Sequence, residues 1–341
     1  RDEEGSRDEE GSRDEEGSRD EEGSRGEEGH PEKEDRRTQE RRREHGDAGR
    51  GWRLAYVNRL QHLDEPWGRF EPGPLRSWLI HLCRSMPPRW AGERAALLLR
   101  RIARLGLRTP LDTEVWGLNL RLFPVGNLAE ARILFMPQQW DWQERELLAL
   151  RARPGFVFVD VGANAGGYSW WMHHVLDEDA TIIAIEPDPQ IVAGLAANVS
   201  RNSCTNLHVV PAAVGASAGQ GTLFVRSANL GESTLERPDA SDSEIVRTET
   251  VSVRTLAAVL EAEGVTRVDA LKIDIEGMEL PVVEAFFEEA PEDLWPTLII
   301  TEFKDTERHR GLLELLERNG YGPLLRTKLN LVMERRPGGS G

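Results

Sequence analysis

At 341 residues the chain can hold one large domain or two small ones, and its two cysteines, Cys83 and Cys204, give neither a disulfide framework nor a zinc spacing. A formal net charge of −16 makes a nucleic-acid partner a poor expectation. No apolar run reaches the roughly 18 residues of a membrane span, and no hydrophobic N-terminal region marks a secreted protein.

A reducing, cytoplasmic compartment therefore fits best. The sequence opens on Arg1 rather than Met, as a fragment of a longer chain would. Residues 1–24 are four copies of Arg-Asp-Glu-Glu-Gly-Ser, followed by a degenerate fifth unit over 25–30, and about nine of the sixteen net negative charges lie there. Without apolar side chains this stretch cannot offset its ordering entropy, so residues 1–50 are expected to be disordered.

Residues 51–110 reverse the charge, with eleven Arg against Asp64, Glu65, Glu71 and Glu93, and they interleave Trp52, Trp67, Trp78 and Trp90. Helices are expected over about 75–84 and 91–105, broken by Pro87-Pro88. The second carries Ala95, Leu98, Leu99, Ile102 and Leu105 on one stripe, ringed by Arg94, Arg100, Arg101 and Arg104. A helical cap on the core is the favoured reading. An interfacial helix touching anionic lipid, or a substrate lid, is the sharper alternative. Beyond it, residues 115–123 alternate in part and suggest a strand, with Arg132–Phe135 as its hairpin partner. A helix is expected over Asp141–Arg151.

From residue 155 the pattern becomes strand, helix, strand, helix, which is the pattern of an α/β sheet covered on both faces. Strands are expected at 156–161, 181–186, 207–210, 268–274 and 296–302. Helices fall near 167–177, 189–201, 255–263, 280–289 and 307–319. Added strands at 222–226 and 248–253 flank a loop, Asn229–Thr234, that could close over a substrate. A closing antiparallel pair is expected at 322–326 and 330–335. The expected layout is a tail over 1–50, a basic extension over 51–110, an α/β domain over 111–336 and a flexible end over 337–341.

Ligands of open α/β sheets bind beyond the carboxyl ends of the strands. The acids Asp160, Glu186, Asp274, Glu276 and Glu302 all fall there. The turn Asp160-Val-Gly-Ala-Asn-Ala-Gly166 resembles a dinucleotide-binding turn but has Asn164 where the middle glycine would stand. A carboxylate ahead of the turn suits a ligand bearing an ammonium or sulfonium group and not a diphosphate. Glu186 follows Gly162 by 24 residues, about where an acid accepts hydrogen bonds from two ribose hydroxyls. In Leu271–Gly277, alternation places Lys272, Asp274 and Glu276 on one side. They are either a buried ion pair holding the strand end or part of a site.

These residues resemble the FkbM-type methyltransferases. Phe158–Tyr168, Glu186-Pro187 and Lys272–Glu279 carry the likeness, in the family's order and spacing, and it extends over roughly 113–335. The resemblance implies a Rossmann-like, seven-stranded methyltransferase fold of class I, with S-adenosylmethionine as cofactor. It implies methyl transfer to a hydroxyl oxygen of a sugar, polyketide or other small metabolite. It further implies that Asp160, Gly162, Asn164 and Gly166 cradle the methionine part, that Glu186 holds the ribose, and that Ala213 and its neighbours lie near adenine. The chain departs from the family at Ala257, where an acid is common, and at Tyr168-Ser169-Trp170-Trp171, whose bulk is expected to narrow the pocket.

A hydroxyl is a weak nucleophile at neutral pH and calls for a base or a metal. Asp274 and Glu276 are the candidate bases, with Glu302 as a third and Lys272 as a group that tunes one of them or binds substrate. The same carboxylates would serve a divalent metal, because Mg²⁺ prefers oxygen; metal dependence is left open. Two other readings stand beside this one: a non-catalytic binding or scaffolding protein on the same fold, and a nicotinamide-dependent oxidoreductase. Asn164 and Asp160 argue against the second.

Overall fold

A computed structural model describes residues 59–88, 90–176, 178–226, 233–235, 245–304 and 306–336. The acidic repeats, the expected tail boundary at residue 50, most of the Asn229–Thr234 loop and the C-terminal end at 337–341 lie outside the described residues.

The basic extension is helical, as its periodicity predicts. It contains α1 (Arg59–Leu63), α2 (Pro74–Arg84) and α3 (Trp90–Ala103). Pro74 starts α2 with φ already suited to a helix. Next come β1 (Leu111–Val115) and β2 (Leu118–Leu122), an antiparallel hairpin closed by Trp116 and Gly117, both at positive φ.

The expectation of a second hairpin strand at Arg132–Phe135 is corrected. That stretch belongs to helix α4 (Leu128–Phe135), because Asn127 caps its start by accepting the Glu130 amide and the Trp116–Gly117 turn has already paired β1 with β2. Helix α5 (Trp142–Arg151) then leads into the core.

The extension is tied down by two buried arginines. Arg59 forms a two-pronged ion pair with Glu130, at 3.1 and 2.7 Å, and its guanidinium lies over the Phe123 ring. Arg121 of β2 grips both oxygens of Asp112, at 2.6 and 2.9 Å, and also donates to the carbonyls of His62, Glu65 and Pro66. Asp112 in turn accepts the amides of Gly68 and Phe70. The irregular segment after α1 thus has its polar backbone satisfied by one ion pair on the hairpin.

The core alternates β3 (Val157–Val161), α6 (Gly167–Val175), β4 (Thr181–Ile185), α7 (Pro189–Asn202) and β5 (Leu207–Val210). A short β6 (Ala213–Val214) pairs with β8 (Ile245–Arg254), which also pairs with β7 (Gly219–Arg226), so the added strands form a small sheet of their own. The chain continues through α8 (Leu256–Ala262), β9 (Ala270–Ile273), α9 (Glu279–Glu289), β10 (Leu298–Glu302), α10 (Glu307–Arg318), β11 (Tyr321–Arg326) and β12 (Asn330–Arg335).

Seven strands make the main sheet in the order β11-β12-β10-β9-β3-β4-β5. All pairings from β10 to β5 are parallel, and β12 runs antiparallel to both of its neighbours. This is the seven-stranded Rossmann-like arrangement that the sequence led one to expect. Strand order reverses between β3 and β9, the position where such sheets bind ligands.

Both faces are covered, which explains the near-continuous apolar strands. Phe158, Ile182, Ala184, Ala270, Leu298 and Ile300 pack into one core, while Val159, Val161, Ile183, Ile185, Leu271, Ile273 and Ile299 pack into the other. Among the described residues no helix is long and apolar enough to cross a membrane.

Candidate active site

A cleft opens at the carboxyl ends of β3, β4 and β9. Its lining includes Gly162, Asn164, Glu186, Ala213, Asp274 and Glu276, with Ile191, Val214 and Leu223 supplying apolar wall. Four of the six residues expected to hold the cofactor therefore line this cleft, and Asp160 and Gly166 do not.

Gly162 is fixed by geometry. Its φ is +72°, and a Cβ there would overlap the carbonyl oxygen of Asp274. The amides of Gly162 and Ala163 both donate to the Ile185 carbonyl at 3.0 Å, which fastens the turn to the end of β4. Gly166, at φ +75°, starts α6; a Cβ there would press on Leu195 and Trp170 at 2.7 and 2.8 Å. We expect Gly162→Ala to cost about 2–4 kcal/mol from the left-handed backbone and the overlap together. Chemical unfolding measures the loss, and ligand binding by the surviving folded fraction should weaken because the turn must move away from Asp274.

Glu186 lies just after β4, buried, with one carboxylate oxygen accepting the Asn164 amide at 2.8 Å and the other the Asp188 amide at 2.9 Å. Asn164 is itself held at φ +48° by a hydrogen bond from the Asn127 side chain to its own, at 2.7 Å. Burial pushes the Glu186 carboxyl up to about 7, partly opposed by the two amides. A folded-state value above the unfolded 4.5 means that the folded chain holds this proton more tightly. The stability it contributes is complete below about 4.5 and is lost as pH rises through about 7. Binding of a ligand whose hydroxyls donate to this carboxylate should run the other way and strengthen across the same interval. Thermal unfolding and calorimetric titration against pH should both show the dependence in the parent protein and lose it in Glu186→Gln.

Asp160 is placed differently from expectation. It does not line the cleft. Its side chain is buried behind the turn, accepting the Ser169 hydroxyl at 2.7 Å and standing 3.8 Å from the Lys272 ammonium. The reason is register: Asp160 of β3 sits directly beside Lys272 of β9 on one face of the sheet. Lys272 also reaches Asp274, at 3.3 Å. Burial works against the lysine's charge, but Asp274 and Asp160 outweigh it and hold its pKa above the ordinary value. Lys272 therefore pairs with both carboxylates and is not among the residues lining the cleft.

Strand alternation does not extend to Glu276. Strand β9 ends at Ile273, and Glu276 stands in a turn at φ +51°. Asp274 and Glu276 nevertheless both line the cleft. The third proposed base, Glu302, ends β10 outside the lining and pairs with Lys304 at 2.7 Å. The expected narrowing by aromatic residues is also corrected: Trp170 is buried and donates to the Ala165 carbonyl, and Trp171 donates to the Arg145 carbonyl, so both face the protein interior side of α6. Position 257 lies on α8 and is not among the residues lining the cleft.

Two supporting residues are not among those expected at the site. Glu279 is buried at the start of α9 and accepts the amides of Ile275 and Gly277, at 2.8 and 3.0 Å, fixing the turn that carries Glu276. An acid two residues after a glycine, opening a helix, was the available signal. Asp188 caps α7 through the Gln190 amide, and one nitrogen (Nη2) of Arg247 from β8 donates to both of its oxygens, at 3.0 and 2.8 Å. That contact joins residues 59 positions apart, and no local pattern announces it. Among the described residues no group of three or more His, Cys, Asp or Glu could hold a metal ion.

Residues 160–323 match the family model described as the methyltransferase FkbM domain. Over those residues the chain is similar to that domain. Its match begins at Asp160 and takes in the turn, Glu186 and the Asp274–Glu279 segment. No curated protein matches the sequence. Solved structures with a similar fold include precorrin-6y C5,15-methyltransferase from Geobacter metallireducens, at 14% identity over 58% of this chain and 89% of that one, with a TM-score of 0.36. A SAM-dependent O-methyltransferase from Thermotoga maritima is 10% identical over 57% of this chain and 64% of that one, with a TM-score of 0.34. The ribosomal protein L11 methylase from Lactobacillus delbrueckii subsp. bulgaricus is 14% identical over 58% and 80%, at 0.36. These are too distant to bear on what the methyltransferase domain acts upon.

Proposed function

We propose that the domain transfers a methyl group from S-adenosylmethionine to a hydroxyl oxygen of a small molecule such as a sugar or polyketide. The observation that carries this reading is one cleft, at the sheet's switch point, lined by Glu186, Gly162 and Asp274, with Gly162 packed against the Asp274 carbonyl.

The residues present fit that cofactor. Gly162 leaves backbone bare beside the cleft. Each Glu186 oxygen has accepted one amide and keeps lone-pair capacity for a ribose hydroxyl. Ile191, Ala213 and Val214 offer apolar surface to a flat base. Bound there, the cofactor would supply an electrophilic methyl on a positively charged sulfur. Asp274 and Glu276 would favour that charge from the cleft, and Asp160 would act at one remove, by holding Lys272.

Asp274 is the favoured base. Its amide donates to the Val161 carbonyl and its carboxylate meets Lys272, so its position is set from two sides, while its side chain stays partly exposed to the cleft. It would accept the hydroxyl proton. The main contribution of the site is to hold the oxygen in line, which by itself can supply about 7–11 kcal/mol.

The test is a pair of measurements on the full chain. Calorimetry should find S-adenosylmethionine binding and no comparable binding of NAD or NADP, and methyl-labelled cofactor should label hydroxyl-bearing metabolites in an extract. Binding without label transfer to any acceptor would favour a non-catalytic role on this fold. Nicotinamide binding would overturn the proposal.

A further inference from the structure

The cap formed by α2 and α3 buries one face and leaves the other uncovered. Cys83, Ala96, Ala103 and Leu107 face inward. Exposed along α3 are residues 93, 94, 97, 98, 101 and 102, and just past its end 105; of these, 94, 97, 98, 101, 102 and 105 have the spacing of a single outward stripe. Two of these are arginines and four are Leu or Ile.

The α2 end of the same surface adds Leu75 and Trp78. Arg76 donates to the carbonyls of Ala103 and Leu105, at 3.0 and 3.4 Å, which brings the start of α2 beside the end of α3. Leu75, Trp78, Leu98, Ile102 and Leu105, each 45 to 71% exposed, therefore form one patch. Scattered exposed leucines need no explanation, but five large apolar side chains gathered on a two-helix surface do.

Charge selects the occupant. Residues 74–108 hold eight arginines and one acid, Glu93, a net of +7 in a chain of net −16. A second copy of this surface would bring two such charges together. The acidic repeats of residues 1–30 would attract the arginines, but they carry no apolar side chain to cover Trp78 or Leu98. A bilayer with anionic headgroups matches both properties. Apolar side chains and an indole enter the boundary region while arginines stay at headgroup level.

We propose that the α2–α3 surface docks the protein on anionic membranes, with Trp78, Leu98 and Ile102 inserted and Arg101 and Arg108 at the headgroups. This goes beyond the methyl-transfer reading and does not depend on it.

Co-sedimentation of the full chain with phosphatidylcholine vesicles, with and without phosphatidylserine, tests it. Binding should require phosphatidylserine and fall as salt screens the arginines. Arg101→Ala and Arg108→Ala should each weaken it about fivefold. The double variant Trp78→Ser/Leu98→Ser should weaken it at least about tenfold, with the thermal midpoint and S-adenosylmethionine binding unchanged because both side chains are exposed. Absence of binding to phosphatidylserine vesicles at low salt would overturn the proposal, as would equal binding to both vesicle types or indifference to all these substitutions. A dimer in sedimentation that dissociates in the double variant would assign the surface to a second copy instead, and would equally overturn it.

Discussion

Replacing Asp274 with Asn is expected to lower methyl transfer by about 10²–10⁴-fold, the usual worth of a positioned base. Cofactor affinity should change only a few-fold, because Asn keeps the shape and the backbone that Gly162 packs against. Lys272 retains Asp160 as a partner at 3.8 Å, so the variant does not leave a buried ammonium without a counter-charge. Single-turnover kinetics with labelled cofactor separates the two effects. Glu276→Gln is the control: it shares the cleft but stands in a turn fixed by Glu279, and a smaller loss there would agree with Asp274 as the base. A larger loss in Glu276→Gln would exchange the two roles. Full activity in Asp274→Asn would remove Asp274 from the mechanism.

Arg121→Met should destabilise the protein by about 3–5 kcal/mol, the cost of removing one member of a buried ion pair. Arg121 and Asp112 have no exposed side-chain surface. Without the guanidinium, the Asp112 carboxylate keeps the Gly68 and Phe70 amides, the carbonyls of His62 and Glu65 lose the Arg121 donor, and that of Pro66 keeps the Arg69 amide. Urea unfolding gives the magnitude. Limited proteolysis should show earlier cleavage between α1 and α2, since that segment has lost its anchor. Because the two residues act as a unit, the Arg121→Met/Asp112→Leu double variant should cost less than the sum of the single variants.

The apolar runs at 157–161, 181–185 and 298–302 were legible because a strand buried on both faces is apolar at most of its positions. Helix starts were legible at Asp188-Pro189, Thr255 and Thr306, where a capping side chain precedes the first turn. Arg132–Phe135 misled because four residues carry too little periodicity to distinguish a strand from a helix. The cap that decides it, Asn127, stands outside that window.

The site divides in the same way. Gly162, Asn164, Glu186 and Asp274 could be found in the sequence because each lies at a strand end, and in this topology strand ends face the ligand. What could not be found is which acids share a space. Asp160 and Lys272 are 112 residues apart, and only the β3–β9 register sets them side by side as an ion pair. Glu302 ends β10 and Asp274 directly follows β9, but β10 lies one place farther from the switch point and its acid meets Lys304.

Local chemistry in the chain therefore determined the elements, the glycine turn and the set of acids available for function. The pairing of strands decided the rest. Whether an acid is a cleft wall or half of a buried ion pair depends on its neighbours across the sheet, and those neighbours are fixed by long-range register and by the packing of two cores, which no short stretch of sequence encodes.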